Sequence, residues 1–196
     1  MKIDRNSLPP VFFKIAETVE KRGMGGHVFL AGGAVRDLVI DGAEAEVSDL
    51  DFVVTTPFTG MDLANFVGED VGGTPVLFEK FGTARVDVDG FSVDCVTARS
   101  ETYRFDSRNP SVQFSSLVDD AFRRDFTVNS LFMEILTGEV IDITERGLDS
   151  IEAAVIDTAT EPDLCFSEDP LRMLRAIRFS AKLGFIILPE VLDGIK

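Results

Sequence analysis

The 196-residue sequence has no tryptophan, a single tyrosine, only two cysteines and little positive charge. Each scarcity excludes something. Seventeen phenylalanines supply nearly all the aromatic surface, so the core is Phe-rich, which describes packing and carries no chemistry. Cys95 and Cys165 form no Cys-x-x-Cys pair; the pattern fits two buried free thiols in a reducing, cytoplasmic setting. Apolar runs such as Val53-Val54 and Phe185-Ile186-Ile187-Leu188 are far shorter than the roughly 20 residues that span a bilayer, so no membrane is expected as a partner. No apolar stretch of signal-peptide length follows Met1-Lys2-Ile3-Asp4-Arg5. With 19 basic and 34 acidic residues, the net charge is −15. A protein that grips phosphates over its whole surface is basic, because phosphate neutralisation supplies most of the affinity. Any nucleic-acid contact must therefore be local, or must come from residues outside this chain.

The length allows one full domain and part of a second, at roughly 100–200 residues per domain. Ser7, as cap, with Pro9 and Pro10 opens a helix whose Val11, Ile15, Thr18 and Val19 share a face, and Gly23 ends it. His27–Ala31 reads as a central strand, Ala34–Ile40 as a short helix, Leu50–Thr55 as a second strand and Met61–Val67 as a helix. Strands follow near Val76–Lys80, Ala84–Val88 and Phe91–Thr97. The polar stretch Arg99–Ser116, with Pro110 and no period, reads as a mobile loop. Phe126–Met133 reads as helical, and Val140–Ile143 as a strand. From Asp169 the chain reads as a strong helix, with Leu171, Leu174, Ile177 and Ala181 along one side and Gly184 as its stop. A new helix begins at Pro189, and the chain looks cut short there. The expectation is an α+β head over residues 1–160, a mixed sheet with helices on one face, and the start of an all-α neck over 161–196.

Two local patterns carry chemistry. Asp49-Leu50-Asp51 sits at the start of a strand, where period-two geometry points both carboxylates to one face. Like charges held together call for a hard dication, and oxygen donors suit Mg²⁺. Two such ions, about 3.5–4 Å apart, activate a hydroxyl and stabilise a leaving oxygen. A third carboxylate from a neighbouring strand completes such a site; Asp94 is favoured by its apolar-alternating flanks, with Asp87 and Asp89 as rivals. An Asp-x-Asp pair by itself is common on edge strands, and it is the turn upstream that gives it meaning. Leu30-Ala31-Gly32-Gly33-Ala34-Val35-Arg36-Asp37 is a strand, a glycine pair and a helix start. Glycines let backbone amides approach an anion, the helix N-terminus favours negative charge, and Arg36 can fork onto phosphate oxygens.

Gly32-Gly33-Ala34-Val35-Arg36-Asp37 followed by Asp49-Leu50-Asp51 resembles the signature of class II tRNA nucleotidyltransferases and bacterial poly(A) polymerases, of the polymerase-β-like nucleotidyltransferase superfamily. The resemblance continues through Ala98–Tyr103, Arg123-Arg124-Asp125-Phe126-Thr127-Val128-Asn129-Ser130 and Glu168-Asp169-Pro170-Leu171-Arg172 to Phe179. It implies that Gly32, Gly33, Arg36 and Asp37 serve the nucleotide site. Arg123, Arg124, Asp125 and Asn129 are then to contact the sugar and phosphates. Asp169 and Arg172, with Arg175 behind them, are to read the base edge of ATP or CTP in place of a nucleic-acid template. The loop 99–116 is a candidate switch between bases. The implied activity is Mg²⁺-dependent nucleotidyl transfer to an RNA 3′-hydroxyl, most naturally the tRNA 3′ end (CCA or A). Poly(A) synthesis by the same family and a non-catalytic nucleotide-binding fragment stay open as alternatives.

Overall fold

In the computed structural model, residues 1–104 and 107–195 are described. In chain order, α1 (Pro10–Lys21), β1 (Val28–Ala31), α2 (Gly33–Asp41), β2 (Leu50–Val54) and α3 (Gly60–Asp70) come first. They are followed by β3 (Val76–Phe78), β4 (Thr83–Val88), β5 (Phe91–Thr97), β6 (Arg99–Arg104), β7 (Ser107–Phe114) and α4 (Leu117–Phe122). Next come β8 (Leu131–Glu134), β9 (Val140–Asp142), α5 (Gly147–Glu152) and β10 (Val155–Ile156). The last elements are α6 (Pro162–Glu168), α7 (Leu171–Leu183), β11 (Ile186–Ile187) and α8 (Pro189–Ile195).

Seven strands form a mixed sheet in the order β3-β4-β5-β2-β1-β8-β9. All pairings are antiparallel except β2 with β5; a parallel pair needs a crossover, and here the chain passes through α3, β3 and β4 between the two strands. Apolar alternation along β4 and β5 sends Ala84, Val86, Val88, Val93 and Cys95 to one face. There α1, α2 and α3 cover them with Phe12, Ile15, Val35, Leu38, Leu63 and Val67, in the principal core. The opposite face is covered at the β1–β8 end, where Phe29, Val53 and Phe132 pack with Ala121 of α4. Along β2, β4 and β5 that face carries Asp51, Arg85 and Asp94. The expected α+β head followed by helices is present.

Four local expectations change. The first helix has Pro9 as its N-cap, because Ser7 belongs to a preceding 3₁₀ turn, Arg5–Ser7. Phe126–Met133 is a 3₁₀ turn (Thr127–Asn129) leading into β8. Both faces of the sheet are covered there, so Leu131, Phe132 and Met133 are all buried, and a continuous apolar run does not distinguish strand from helix. Arg99–Ser116 holds a hairpin of β6 and β7, paired from Arg99↔Phe114 to Arg104↔Ser107; Phe105 and Asp106 lie outside the described residues. Among the described residues it is a two-stranded ribbon, with edges on both sides, where a proline costs no ladder to a further strand. Finally, the apolar side of α7 faces outward: Leu171, Leu174 and Ile177 are 48%, 65% and 53% exposed, while Arg172, Ala176 and Phe179 are buried. The inward face joins Phe126, Val128, Ile156 and Phe185 in a separate core, and β10 pairs with β11 alongside. These contacts fasten α7 against the head.

Candidate active site

The sheet's open face and α7 enclose a cavity of about 1020 Å³. Its walls carry every residue singled out from the sequence for the site: the glycine turn, Asp49, Asp51 and Asp94, the Arg123–Asp125 and Asn129 group, and Asp169, Arg172 and Arg175. Eight of the nineteen basic side chains line it, so positive charge is concentrated here despite the acidic total.

The carboxylate wall is built by strand register. Asp51 on β2 and Asp94 on β5 are direct Cα partners, and Asp49 precedes them by one pleat on the same side. Asp51 is surface-exposed on the cleft wall, but its packed surroundings and then the facing Asp94 raise its pKa above the ordinary carboxylate value, with Arg124 pulling the other way. Of the rival third carboxylates, Asp89 is at the β4–β5 turn in an ion pair with Lys14, 2.7 Å. Asp87 pairs across the ladder with Ser92, one side-chain repeat further from Asp51. Asp94 alone of the three faces Asp51.

At the glycine turn, Gly32 has φ +69° and caps α2 without a side-chain bond. A Cβ there would lie 3.1 Å from Nη1 of Arg124, so the absence of a side chain lets the arginine lie against the turn. Arg36 is buried; its guanidinium donates to Asp37 Oδ1 and Asn129 Oδ1, each at 2.7 Å, and lies 5.3 Å from the Phe179 ring centroid. It ties the turn to the 3₁₀ segment instead of standing open to solvent. Asn129 in turn donates to Asp125 Oδ1 at 3.1 Å, and Asp125 Oδ2 accepts from Arg175 Nε at 2.7 Å. This chain of bonds links α2, the 3₁₀ turn and α7. Asp125 also accepts from its neighbour's backbone, Phe126 N–H, at 2.8 Å. Arg172 donates to the carbonyls of Cys165 and Arg123 and to Glu168. Asp169 accepts from the Leu171 N–H at 3.1 Å and so opens α7.

A family model of the poly(A) polymerase head domain matches residues 28–157. The chain belongs to that family. The resemblance expected from the motifs is thereby borne out. The chain is 36% identical over 204 residues to the tRNA nucleotidyltransferase cca2 of Schizosaccharomyces pombe, covering 93% of this chain and 41% of that protein. It is 38% identical over 175 residues to the CCA-adding enzyme of Bacillus pumilus, covering 88% and 41%. Among solved structures it matches the Thermotoga maritima CCA-adding enzyme complexed with tRNA, with a TM-score of 0.78, 27% identity and coverage of 97% and 42%. A tRNA nucleotidyltransferase complexed with a primer tRNA and an incoming ATP analog matches with a TM-score of 0.75, 29% identity and coverage of 92% and 48%. The chain spans less than half the length of these relatives.

Within this family frame, one residue that sequence reasoning missed stands out. Asp120 is fully buried, and its carboxylate holds both arginines of the Arg123-Arg124 pair, at 2.6 and 3.0 Å. Its spacing, three and four residues before them on a helix, was the available signal. Among the described residues, no group of three or more His, Cys, Asp or Glu side chains is already gathered as a metal site. The donor set nevertheless fits a hard dication. Asp49, Asp51 and Asp94 share one wall, all offer oxygen, and the like-charge strain at Asp51 is what such an ion relieves. No described helix is long and apolar enough to cross a membrane.

Proposed function

We propose that the chain catalyses nucleotidyl transfer from ATP or CTP to an RNA 3′-hydroxyl with release of pyrophosphate, at the tRNA 3′ end (CCA or A addition). Residues 1–160 serve as the catalytic head and 161–196 begin the nucleobase-recognition neck, in a reducing, cytoplasmic setting. The observation that carries this is the opposition of two walls in one cavity: Asp51 facing Asp94 on adjacent strands, and across from them a bonded arginine network on the glycine turn and α7. Relatives crystallised with a primer tRNA and an ATP analog, and with tRNA, support the choice of partners.

The hydroxyl oxygen forms a bond to the α-phosphorus while the bond to the pyrophosphate oxygen breaks, and the hydroxyl proton passes to solvent water. Asp49, Asp51 and Asp94 would hold two Mg²⁺ ions, which neutralise phosphate charge and favour the ionised hydroxyl. The backbone amides at Gly32 and Gly33 and the guanidinium of Arg124 receive the triphosphate, Arg124 already being oriented by Asp120 and the Asn129 carbonyl. Arg36, locked between Asp37 and Asn129, keeps turn and 3₁₀ segment in register. Asp169 and Arg172 at the start of α7 address the base, with Arg175 beside them. A carboxylate accepts from the exocyclic amine that A and C carry beside a ring-nitrogen acceptor, where an arginine can donate; G and U carry a carbonyl and a ring N–H at those positions. Catalysis comes from positioning and charge stabilisation.

The test is incubation with Mg²⁺, a tRNA lacking its 3′ end, and each labelled nucleoside triphosphate separately and together. Incorporation of A, C or both is expected, with G and U refused, and Asp169→Ala relaxing that choice. Nucleotide binding without any incorporation would replace this function with a binding role.

A further inference from the structure

Arg85 is a basic side chain in the cleft that belongs to none of the motifs. It sits on β4, where alternation gives Ala84, Val86 and Val88 to the core and turns Arg85 to the open face. Its Cα partner across the ladder is Asp94, whose partner on the other side is Asp51. The three side chains therefore occupy one rung across three adjacent strands, on one face, at spacings of roughly 4.8 Å per strand. Arg85 Nε and Nη2 donate to Asp94 Oδ1 and Oδ2 at 2.7 and 2.6 Å, a fork that engages both oxygens. The pair is open to water, with the side chains 53% and 35% exposed, so it is held weakly enough to part.

Asp94 is thus served by a cation from its own sheet. A dication drawn to Asp51 and Asp94 meets a fixed positive charge a few ångströms away and a carboxylate whose two oxygens already accept bonds. We propose that Arg85 is a resident counter-cation that competes with the divalent metal for Asp94 and so sets how much metal the site needs. This rests on the metal reading of Asp49, Asp51 and Asp94 given above. Arg85 is a positioning residue: bonded to Asp94, it orients that carboxylate and offsets its charge until a metal takes it over. The triphosphate that enters the same cavity then gives the freed guanidinium an anionic partner, which couples metal loading to nucleotide arrival.

The experiment measures Mn²⁺ binding to the nucleotide-free chain by electron paramagnetic resonance. It compares wild type, Arg85→Met, which keeps the aliphatic stem, and Arg85→Lys, which keeps the charge and loses the fork. Arg85→Met is expected to lower the Mn²⁺ Kd about tenfold, the size of one unit charge removed at a solvent-facing site. Arg85→Lys falls between the two. The Mg²⁺ concentration for half-maximal activity moves down in the same order. Arg85→Gln replaces Arg85→Met if the latter does not fold. A Kd in Arg85→Met that is unchanged or weaker overturns the competition. Asp51→Asn in each background separates the two ideas. If Mn²⁺ binding survives it, or if no form binds Mn²⁺, the metal reading itself falls, and the role of Arg85 with it.

Discussion

The two walls of the cleft are built on opposite terms. On the arginine wall nearly every charge is met from within the chain: Asp120 holds Arg123 and Arg124, Asp125 holds Arg175, and Asn129 with Asp37 holds Arg36. On the carboxylate wall, Asp51 faces Asp94, and burial and that neighbour raise its pKa although Arg124 and Arg85 partly offset them. The difference teaches where an external ligand is wanted. A wall whose side chains are already bonded is preorganised and costs little to keep in place when an anion arrives. A wall of like charges is held together by the sheet against its own repulsion, and a divalent cation would offset what Arg85 alone does not.

The sharpest way to break that contrast is to remove a carboxylate that burial and the facing Asp94 penalise. Asp51→Asn should lower nucleotide incorporation by roughly 10³-fold, the size of losing several kcal/mol of charge stabilisation. It should leave thermal stability unchanged or slightly higher. A matching loss of stability would place Asp51 in the scaffold instead. The opposite wall should respond the other way. Asp120→Ala strands two arginines beside a fully buried vacancy and should cost about 3 kcal/mol in urea unfolding, with activity falling as a consequence. Asp125→Asn keeps the shape but loses the ion pair to Arg175, and should raise the KM for nucleotide about tenfold, or ~1.4 kcal/mol.

A pH series sharpens the comparison further. Because Asp51 in the folded chain binds its proton more tightly than in the unfolded one, its contribution to metal-free stability is greatest at low pH and is lost as pH rises through the raised value. Added Mg²⁺ reverses this, so its stabilisation should be largest at neutral pH and fade on approach to the carboxylate range, about pH 4–5. Differential scanning fluorimetry with and without Mg²⁺ reads it, and Asp51→Asn should flatten the difference. The smallest effect concerns the two thiols. Cys95 and Cys165 are buried, and burial pushes both pKa values up, so alkylation of the native chain at neutral pH should be slow and should accelerate on unfolding.

Much of the fold was legible because local chemistry and tertiary need agree. The glycine pair at Gly32-Gly33, the strand carrying Asp51, the strands near Ala84–Val88 and Phe91–Thr97 and the helix ended by Gly184 all appear where periodicity and turn residues placed them. The failures share a cause in burial. β8 lies between two covered faces, so its apolar run lost the alternation that marks a strand. The β6–β7 ribbon pairs as a two-stranded ladder of its own, and its sequence shows no apolar period. The apolar side of α7 read as a packing stripe, yet the helix is held by Ala176 and Phe179 on the other side. In the site, the carboxylates and arginines were visible as motifs, whereas Asp120 and Arg85 belonged to none.

What the sequence by itself determined is the inventory and the local geometry: two carboxylates on one strand face, a glycine turn opening a helix, an arginine pair and a basic helix face, all set by periods of two and 3.6 residues. Which carboxylate joins Asp51, and which charges neutralise one another, only the tertiary structure decided. Those pairings depend on strand order and register, which bring Asp94 between Asp51 and Arg85 and Asp125 against Arg175, 50 residues away in the chain. Partners at that separation leave no trace in local periodicity, because their proximity is created by the packing of the whole core.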